Sequence, residues 1–333
     1  MAYIEIDKKN LYHNLNQIAI KTSSVDKIAV VLKDNAYGHG LDIIAQLCSE
    51  YGIKHAVVKN YTEALAIKEL FDTILVLNDK IIFDDKIYFA INSLEDISKA
   101  EKYSNIELKV DTGMHRNGIS IDELEEALLL IQQRRLKLVG VMSHFRSADE
   151  LSSEFFWQHK SFEKIKKYIR DKGFKDIRFH SYNSASILRS NSFSDDLVRV
   201  GIAIYGYSEL PNLYNQIELK PVMKLYANRV SSRKLLKGQR LGYGGDFIAD
   251  KNMLVSTYDI GYGDGWCRNV NDKVYLLNGL EILGRVSMDF ISLESRADKI
   301  CIFDNVKEIA KNKKTITYEI LTSLNSNIDR KVI

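Results

Sequence analysis

Lys33 ends an apolar run, Ile28-Ala29-Val30-Val31-Leu32, and opens a polar turn that closes on Tyr37, Gly38, His39 and Gly40. A lysine there has an apolar wall on one side and a loop on the other. Partial desolvation lowers an amine from its ordinary pKa of about 10.4 and frees it as a nucleophile or base. The blander alternative is a strand-end lysine that reaches solvent, because lysine is almost never fully buried unless paired. Four other apolar runs end in comparable residues. Lys109, Asp111 and Arg116 sit at and after 106–110. Ser143 and His144 follow 136–142, and His180, Asn183 and Ser184 end or follow 177–180. Arg199, Gly201 and Ile202 close 197–200. Each alone reads as a cap, a turn residue or a solvated charge. Together they form a coherent polar set.

That set has a chemistry. Ser184 opens a helical stretch, SASILRS, and offers a hydroxyl beside backbone N–H groups. Gly201 lets the backbone approach closely, so the N–H groups of Gly201 and Ile202 can face an anion, and Tyr37 is in sequence reach of the same group. A phosphate cradle beside a reactive lysine suggests pyridoxal phosphate held on Lys33 as a Schiff base. Arg199 then narrows the reaction. An arginine, with a pKa above about 12, donates a hydrogen bond to a ring nitrogen but does not give up its proton. The nitrogen stays neutral and the carbanion is less delocalised. Removal and return of one α-proton is favoured over transamination.

The elements that must position these residues are legible as an alternation. Apolar β-type runs fall at 28–32, 55–58, 73–77, 87–91, 106–110, 136–142, 177–180 and 197–200. Between most of them lie stretches such as 41–51, 62–70, 121–133 and 155–172, with apolar residues at three- and four-residue spacing. Strand then helix, repeated about eight times, predicts a (β/α)8 barrel of the TIM type, whose active site lies at the C-terminal ends of the strands. An open doubly wound sheet is the rival, but no early glycine-rich dinucleotide fingerprint is present. The alternation stops near Pro221. Glycines then punctuate short runs at 254–260, 273–277 and 291–293, which predicts an all-β domain. The expected division is a barrel over 1–220 and a β domain over 221–333.

Composition excludes several classes. The chain has 333 residues, enough for about two domains. With 47 basic and 44 acidic residues interleaved, the net charge of +3 gives no electrostatic footprint for nucleic acid. No apolar run approaches the ~20 residues of a membrane span, and the start lacks a signal-peptide pattern. The three cysteines are far apart and match no zinc spacing or disulfide framework. A cytoplasmic enzyme without a metal, a nucleic-acid partner or a membrane partner is expected.

Eight motifs in order carry a resemblance. AVVLKDNAYGHG, KVDTGMHRNGI, SHFRSAD, HSYNSAS and RVGIAIYG lie in the first part; LGYGGDF, IGYGDGW and GRVSMD lie in the second. The chain resembles the alanine racemases, fold-type III pyridoxal-phosphate enzymes, over nearly its whole length. The resemblance implies that Lys33 holds the cofactor and is one acid/base. It makes Tyr243, from the partner subunit of a homodimer, the other. It implies that His144 packs on the ring, Arg199 bonds its nitrogen, and Arg116 meets its phenolic side and the substrate carboxylate. Lys109 would be a carbamylated lysine orienting Arg116. Tyr37, Asn183, Ser184, Gly201 and Ile202 would hold the cofactor. Tyr262 would line the entrance, and the Met288 N–H would meet the substrate. The implied product is D-alanine for peptidoglycan.

The roles make physical sense. Racemisation needs an acid/base on each face of a planar carbon. A free tyrosine, with a pKa near ~10, needs cationic neighbours to ionise; Arg199 and a bridging His144 are the candidates. Without its motif, Tyr243 would read as an aromatic anchoring a glycine turn. Three departures stand out: Asp34 and Arg146 where the family usually has small residues, and Ser326 where some members place a phosphate-binding tyrosine. Weaker cofactor retention is expected from the last. Alternatives are a racemase of another amino acid such as serine or lysine, a fold-type III decarboxylase, and a non-catalytic pyridoxal-phosphate carrier. The crowded entrance at Tyr262 favours a small side chain, and a carrier needs no opposing base.

Overall fold

The computed structural model describes residues 1–211, 213, 214, 217–268, 276 and 279–333. They form two compact units. One comprises Asn10–Tyr37 and Leu41–Lys220; the other comprises Met1–Lys9, Gly38–Gly40 and Pro221–Ile333.

Strands are numbered from β1 (Tyr3–Ile6), which lies in the second unit. The first unit holds β2 (Ile28–Val31), β3 (His55–Val58), β4 (Thr73–Val76), β5 (Ile87–Ile91), β6 (Asn105–Lys109), β7 (Lys137–Met142), β8 (Arg178–His180) and β9 (Val198–Val200). These eight are parallel in the order β8-β7-β6-β5-β4-β3-β2-β9. The last strand therefore returns to the first, with Val200 opposite Val30. The β8–β9 seam is closed by bonds that each join one strand to the segment beside the other: the Asp196 N–H donates to the Phe179 carbonyl at 2.9 Å and the Arg199 N–H to the Tyr182 carbonyl at 3.0 Å. A buried carboxylate pins this seam. Asp195 accepts from the Ser181 N–H at 2.5 Å and its hydroxyl at 2.7 Å, and pairs with the buried Lys166.

Parallel strands covered on both faces read as continuous apolar runs, which is why the sequence marks them so clearly. The helix Leu41–Tyr51 covers them with Ile44, Ala45, Leu47 and Cys48, a stripe at helical spacing. The larger of these, Ile44 and Leu47, contribute about 1.5–3 kcal/mol each when removed from water. The helix Glu154–Asp171 does the same with Phe155, Phe162, Ile165 and Ile169, but its buried stripe also contains Gln158.

The second unit is a sheet with two short helices, Lys307–Asn312 and Thr317–Thr322. Its strands are β1, β10 (Met223–Leu235), β13 (Met253–Tyr258), β14 (Ile291–Leu293), β15 (Lys299–Phe303) and β16 (Asp329–Val332); β11 (Arg240–Leu241) and β12 (Phe247–Ile248) form a separate pair. The sheet runs β14-β13-β10-β1-β16, with β15 also on β10. Sequence order places residues 1–9 with the barrel. The structure places them here, because β1 pairs antiparallel with β10 and parallel with β16. The strand expected at 273–277 lies outside the described residues. No described helix is long and apolar enough to cross a membrane.

Candidate active site

β2 delivers Lys33 to the barrel mouth, and the chain then turns the wrong way. Asp34, Asn35, Ala36 and Tyr37 have φ of +54°, +55°, +52° and +52°, and Gly38 follows at +79°. A left-handed turn costs L-residues roughly 1–2 kcal/mol each, so its surroundings must hold it. The Ala36 N–H donates to the Leu32 carbonyl at 2.8 Å. Asn35 donates from its backbone to Glu63 at 3.3 Å and accepts from the Leu41 N–H at 2.8 Å. The buried Tyr37 ring packs on Tyr205, 5.0 Å between centroids. Asp34 pairs with Lys59 at 3.1 Å and lies 3.8 Å from the Lys33 ammonium, whose side chain is 38% exposed. An aspartate tolerates this backbone better than most residues.

Opposite this turn the chain builds a compact polar cradle. The Ser184 hydroxyl oxygen accepts from the Gly201 N–H at 3.1 Å and the Ala203 N–H at 3.3 Å. Asn183 is the cap of the helix Ser184–Arg189: its side chain accepts from the Ser186 N–H, and Ser186 answers its backbone N–H. Ile202 is buried beside them. Gly201 has a reason the sequence did not reveal: a Cβ there would sit 2.5 Å from the Tyr37 hydroxyl oxygen. Burial pushes the Tyr37 phenol well above its usual value, so it remains a hydrogen-bond donor. Gly201→Ala should displace Tyr37 and weaken pyridoxal-phosphate binding about 5- to 150-fold, the equivalent of the 1–3 kcal/mol typical of overpacking. Equilibrium dialysis checks this; unchanged affinity would show that Tyr37 has no part in holding the cofactor.

Inside the barrel, alternate residues of three strands form a charged chain. The buried Glu107 carboxylate pairs with Arg178 and accepts from His180 Nε2 at 2.5 Å. Arg199 donates to His180 Nδ1 at 2.5 Å and to its carbonyl at 2.8 Å, and also to the Ser143 carbonyl at 2.6 Å. With Nδ1 facing a guanidinium, the His180 proton must sit on Nε2, and burial keeps the ring neutral. Burial raises Glu107, but Arg178 and His180 outweigh it and hold the carboxyl well below the usual range. The pair therefore stabilises the fold above about pH 4.3 and loses that contribution as pH falls toward the folded value. Glu107→Gln should cost about 3–5 kcal/mol at pH 7 by leaving the largely buried Arg178 guanidinium without its carboxylate. Melting curves against pH should show the gap to wild type narrowing below about pH 4; a constant gap would discount the ion pair. Glu107, Arg178 and His180 were not assigned roles from sequence. The signal was there: charged residues two apart in a strand, 107 with 109 and 178 with 180, share one face.

Four cations surround His144. Burial, then Arg199, Lys109, Arg116 and Lys33, lower its imidazole to about 3, so it is neutral and adds no positive charge for a tyrosine to borrow. Burial, with Arg116 and Arg199 nearby, lowers the Lys109 amine to about 8. Burial lowers Arg199 to about 10, which leaves it a cation at neutral pH. Arg116 is exposed on the loop after β6. The mouth thus gathers Lys33, Lys109, Arg116 and Arg199 around one neutral ring, an arrangement suited to anionic ligands.

The remaining expected residues belong to the second unit. Tyr243 is 62% exposed on a turn of three glycines with positive φ. Asp246 ties that turn to Arg285, with the guanidinium Nε donating at 2.5 Å. Gly261 lies so close to the next loop that a Cβ would meet the Met288 carbonyl at 2.1 Å. The Tyr262 N–H donates to the Ser287 carbonyl at 3.1 Å and the Gly263 N–H to that of Met288 at 2.8 Å. Tyr262, Met288 and Phe290 are left exposed. Ser326 is exposed too, its carbonyl accepting from Arg330 at 2.8 Å.

Known proteins share both units. The alanine racemase N-terminal domain model matches residues 6–209, and the alanine racemase C-terminal domain model matches residues 222–332. An alanine racemase of a Nitratiruptor species is 46% identical over 99% of each chain. The alanine racemase from Bacillus anthracis with bound L-Ala-P superposes with a TM-score of 0.90 at 26% identity, covering 100% of this chain and 95% of that one. The enzyme from Bartonella henselae with covalently bound pyridoxal phosphate gives 0.85 at 26% identity, covering 100% and 99%. On both its domains, and over its full length, this chain belongs to the alanine racemase family.

Proposed function

We propose that this chain interconverts L- and D-alanine by two-base transfer of the α-proton, with pyridoxal phosphate bound at the barrel mouth. The observation that carries the reading is Arg199. Its guanidinium is locked by His180 and the Ser143 carbonyl, and it stays a cation. A donor that keeps its proton suits return of a proton to the α-carbon rather than transamination. The residues present fit the cofactor: an amine on Lys33, a buried phenol on Tyr37, and the Ser184 hydroxyl with the backbone of Gly201 and Ile202 for the phosphate. His144 supplies a neutral flat ring. When bound, the cofactor supplies an electrophilic carbon and an electron sink.

The chain's own residues do the rest. Lys33 takes or returns the α-proton on one face. Tyr243 of a second copy serves the other, which makes the working form a homodimer. Arg116 holds the substrate carboxylate, and Tyr262 with the Met288 N–H restricts the site to a small side chain. Lys109, with its amine near 8, is partly unprotonated at neutral pH. That form adds carbon dioxide, giving a carbamate that orients Arg116 once the nitrogen releases its proton. The barrel then binds the cofactor, and the second unit completes the partner's site. Such an enzyme supplies D-alanine for peptidoglycan from the cytoplasm.

Proton NMR with pyridoxal phosphate and L-alanine in heavy water, followed by chiral analysis, tests the reading. Loss of the α-proton signal with appearance of D-alanine is expected. Bound cofactor without exchange on alanine would turn the assignment to another amino acid or to a carrier.

A further inference from the structure

We propose that Gln158 and Arg146 are positioning residues, a clamp from the helix Glu154–Asp171 and the loop after β7 that fixes the backbone presenting Arg116. The proposal rests on the reading of Arg116 as the substrate-carboxylate ligand. Gln158 is 2% exposed and sits in an otherwise largely apolar helix stripe. A buried amide with unmade bonds is costly, and this one makes three. Its oxygen accepts from the Arg146 N–H at 3.0 Å; its nitrogen donates to the His144 carbonyl at 3.2 Å and the Thr112 hydroxyl at 3.4 Å. One side chain thus ties the loop carrying His144 to the loop carrying Arg116.

Arg146 adds the second tie. Its guanidinium donates to the Gly113 carbonyl at 2.9 Å and to Glu154 at 2.5 Å. Thr112 meets Ser143 at 2.7 Å between the same loops. Asp111 curls the segment by accepting from the N–H groups of Gly113, Met114 and His115 at 2.8, 2.9 and 2.9 Å. Gly113 takes a φ of +131°, open to glycine, and His115 one of +52°, which strains a residue with a side chain, so the curl needs holding. The backbone before Arg116 is pinned at each of these points. Its guanidinium makes no hydrogen bond or ion pair among the described residues. A side chain presented from a fixed backbone loses less freedom on binding a carboxylate than one on a mobile loop. Arg146, a departure from the small residue usual in the family, is thereby given a task.

The test uses the holoenzyme and propionate, an alanine without its amine, as an equilibrium probe beside turnover of alanine. Arg146→Ala should raise the propionate Kd and the KM for alanine about three- to tenfold, with a smaller fall in kcat. Arg146→Lys should recover part of the loss, since an ammonium can still reach the Gly113 carbonyl. Gln158→Met should produce a larger rise; should it fail to fold, the exposed Arg146 still decides. In an Arg116→Lys background, Arg146→Ala should add less than about twofold, because a clamp on a missing ligand has nothing to position. Additive effects, or unchanged propionate binding in both Arg146→Ala and a folded Gln158→Met while Arg116→Lys weakens it, would overturn the clamp alone. Unchanged binding in Arg116→Lys itself would overturn the underlying reading of Arg116, and the clamp with it.

Discussion

Lys33→Ala should abolish racemisation, lowering kcat/KM for alanine by about 10⁴-fold or more, because one side chain performs two tasks. In the proposed reaction it provides the covalent attachment and the proton on its face of the substrate. The other amine near this site does not substitute. Lys109 ends a different strand and is buried, with Arg116 and Arg199 as neighbours. The variant should fold, since among the described residues the Lys33 side chain makes only the partly exposed pair with Asp34, and the strained turn is held by Asn35, Ala36 and Tyr37. Cofactor binding should weaken without vanishing, because the phosphate side of the site is unchanged. The check is turnover together with borohydride reduction: no cofactor should become fixed to the chain. Residual activity within about a hundredfold of wild type would transfer the proton role to another group.

Much of the barrel was legible, and for a definite reason. Parallel strands buried on both faces leave unbroken apolar runs, so β3 and β5 were read to the residue and the others to within one. The helix at 41–51 was equally plain from its spacing. What failed to show depends on distant partners. β1 is four residues long and pairs with β10 and β16 more than 200 residues away. The long β10 carries register shifts at 225/226 in its pairing with β15 and at 229/231 in its pairing with β13, which blur its alternation.

The site divides in the same way. Lys33 stood out because its charge interrupts an apolar run. Four left-handed residues in a row did not, since no propensity predicts them before Gly38; tertiary contacts impose them. Gly201 was read as room for an anion; the structure adds a second demand, because the missing Cβ also makes room for the Tyr37 hydroxyl. His144 was read as a source of positive charge, but burial, then the nearby Arg199, Lys109, Arg116 and Lys33, keep it neutral. Tyr243 is one of 18 tyrosines and had no distinguishing physical mark beyond its motif.

Replacing Tyr243 with phenylalanine removes one hydroxyl and should lower racemisation about 10²- to 10⁴-fold, the usual worth of a positioned acid/base. Its side chain is exposed, and its turn is held by glycine backbones and the Asp246–Arg285 pair, so folding and cofactor binding should persist. The loss should be one-sided. In heavy water, one enantiomer of alanine should still exchange its α-proton through Lys33 while its conversion to the other stops. A carrier would show neither effect. The sharper experiment combines both inactive variants. If Tyr243 serves the partner's Lys33, a hybrid dimer of Lys33→Ala with Tyr243→Phe contains one doubly defective site and one intact site. Random mixing by co-expression should then restore about a quarter of wild-type activity from two inactive proteins. If both residues of a site came from the same chain, every site in the mixture would carry a defect and no activity would return.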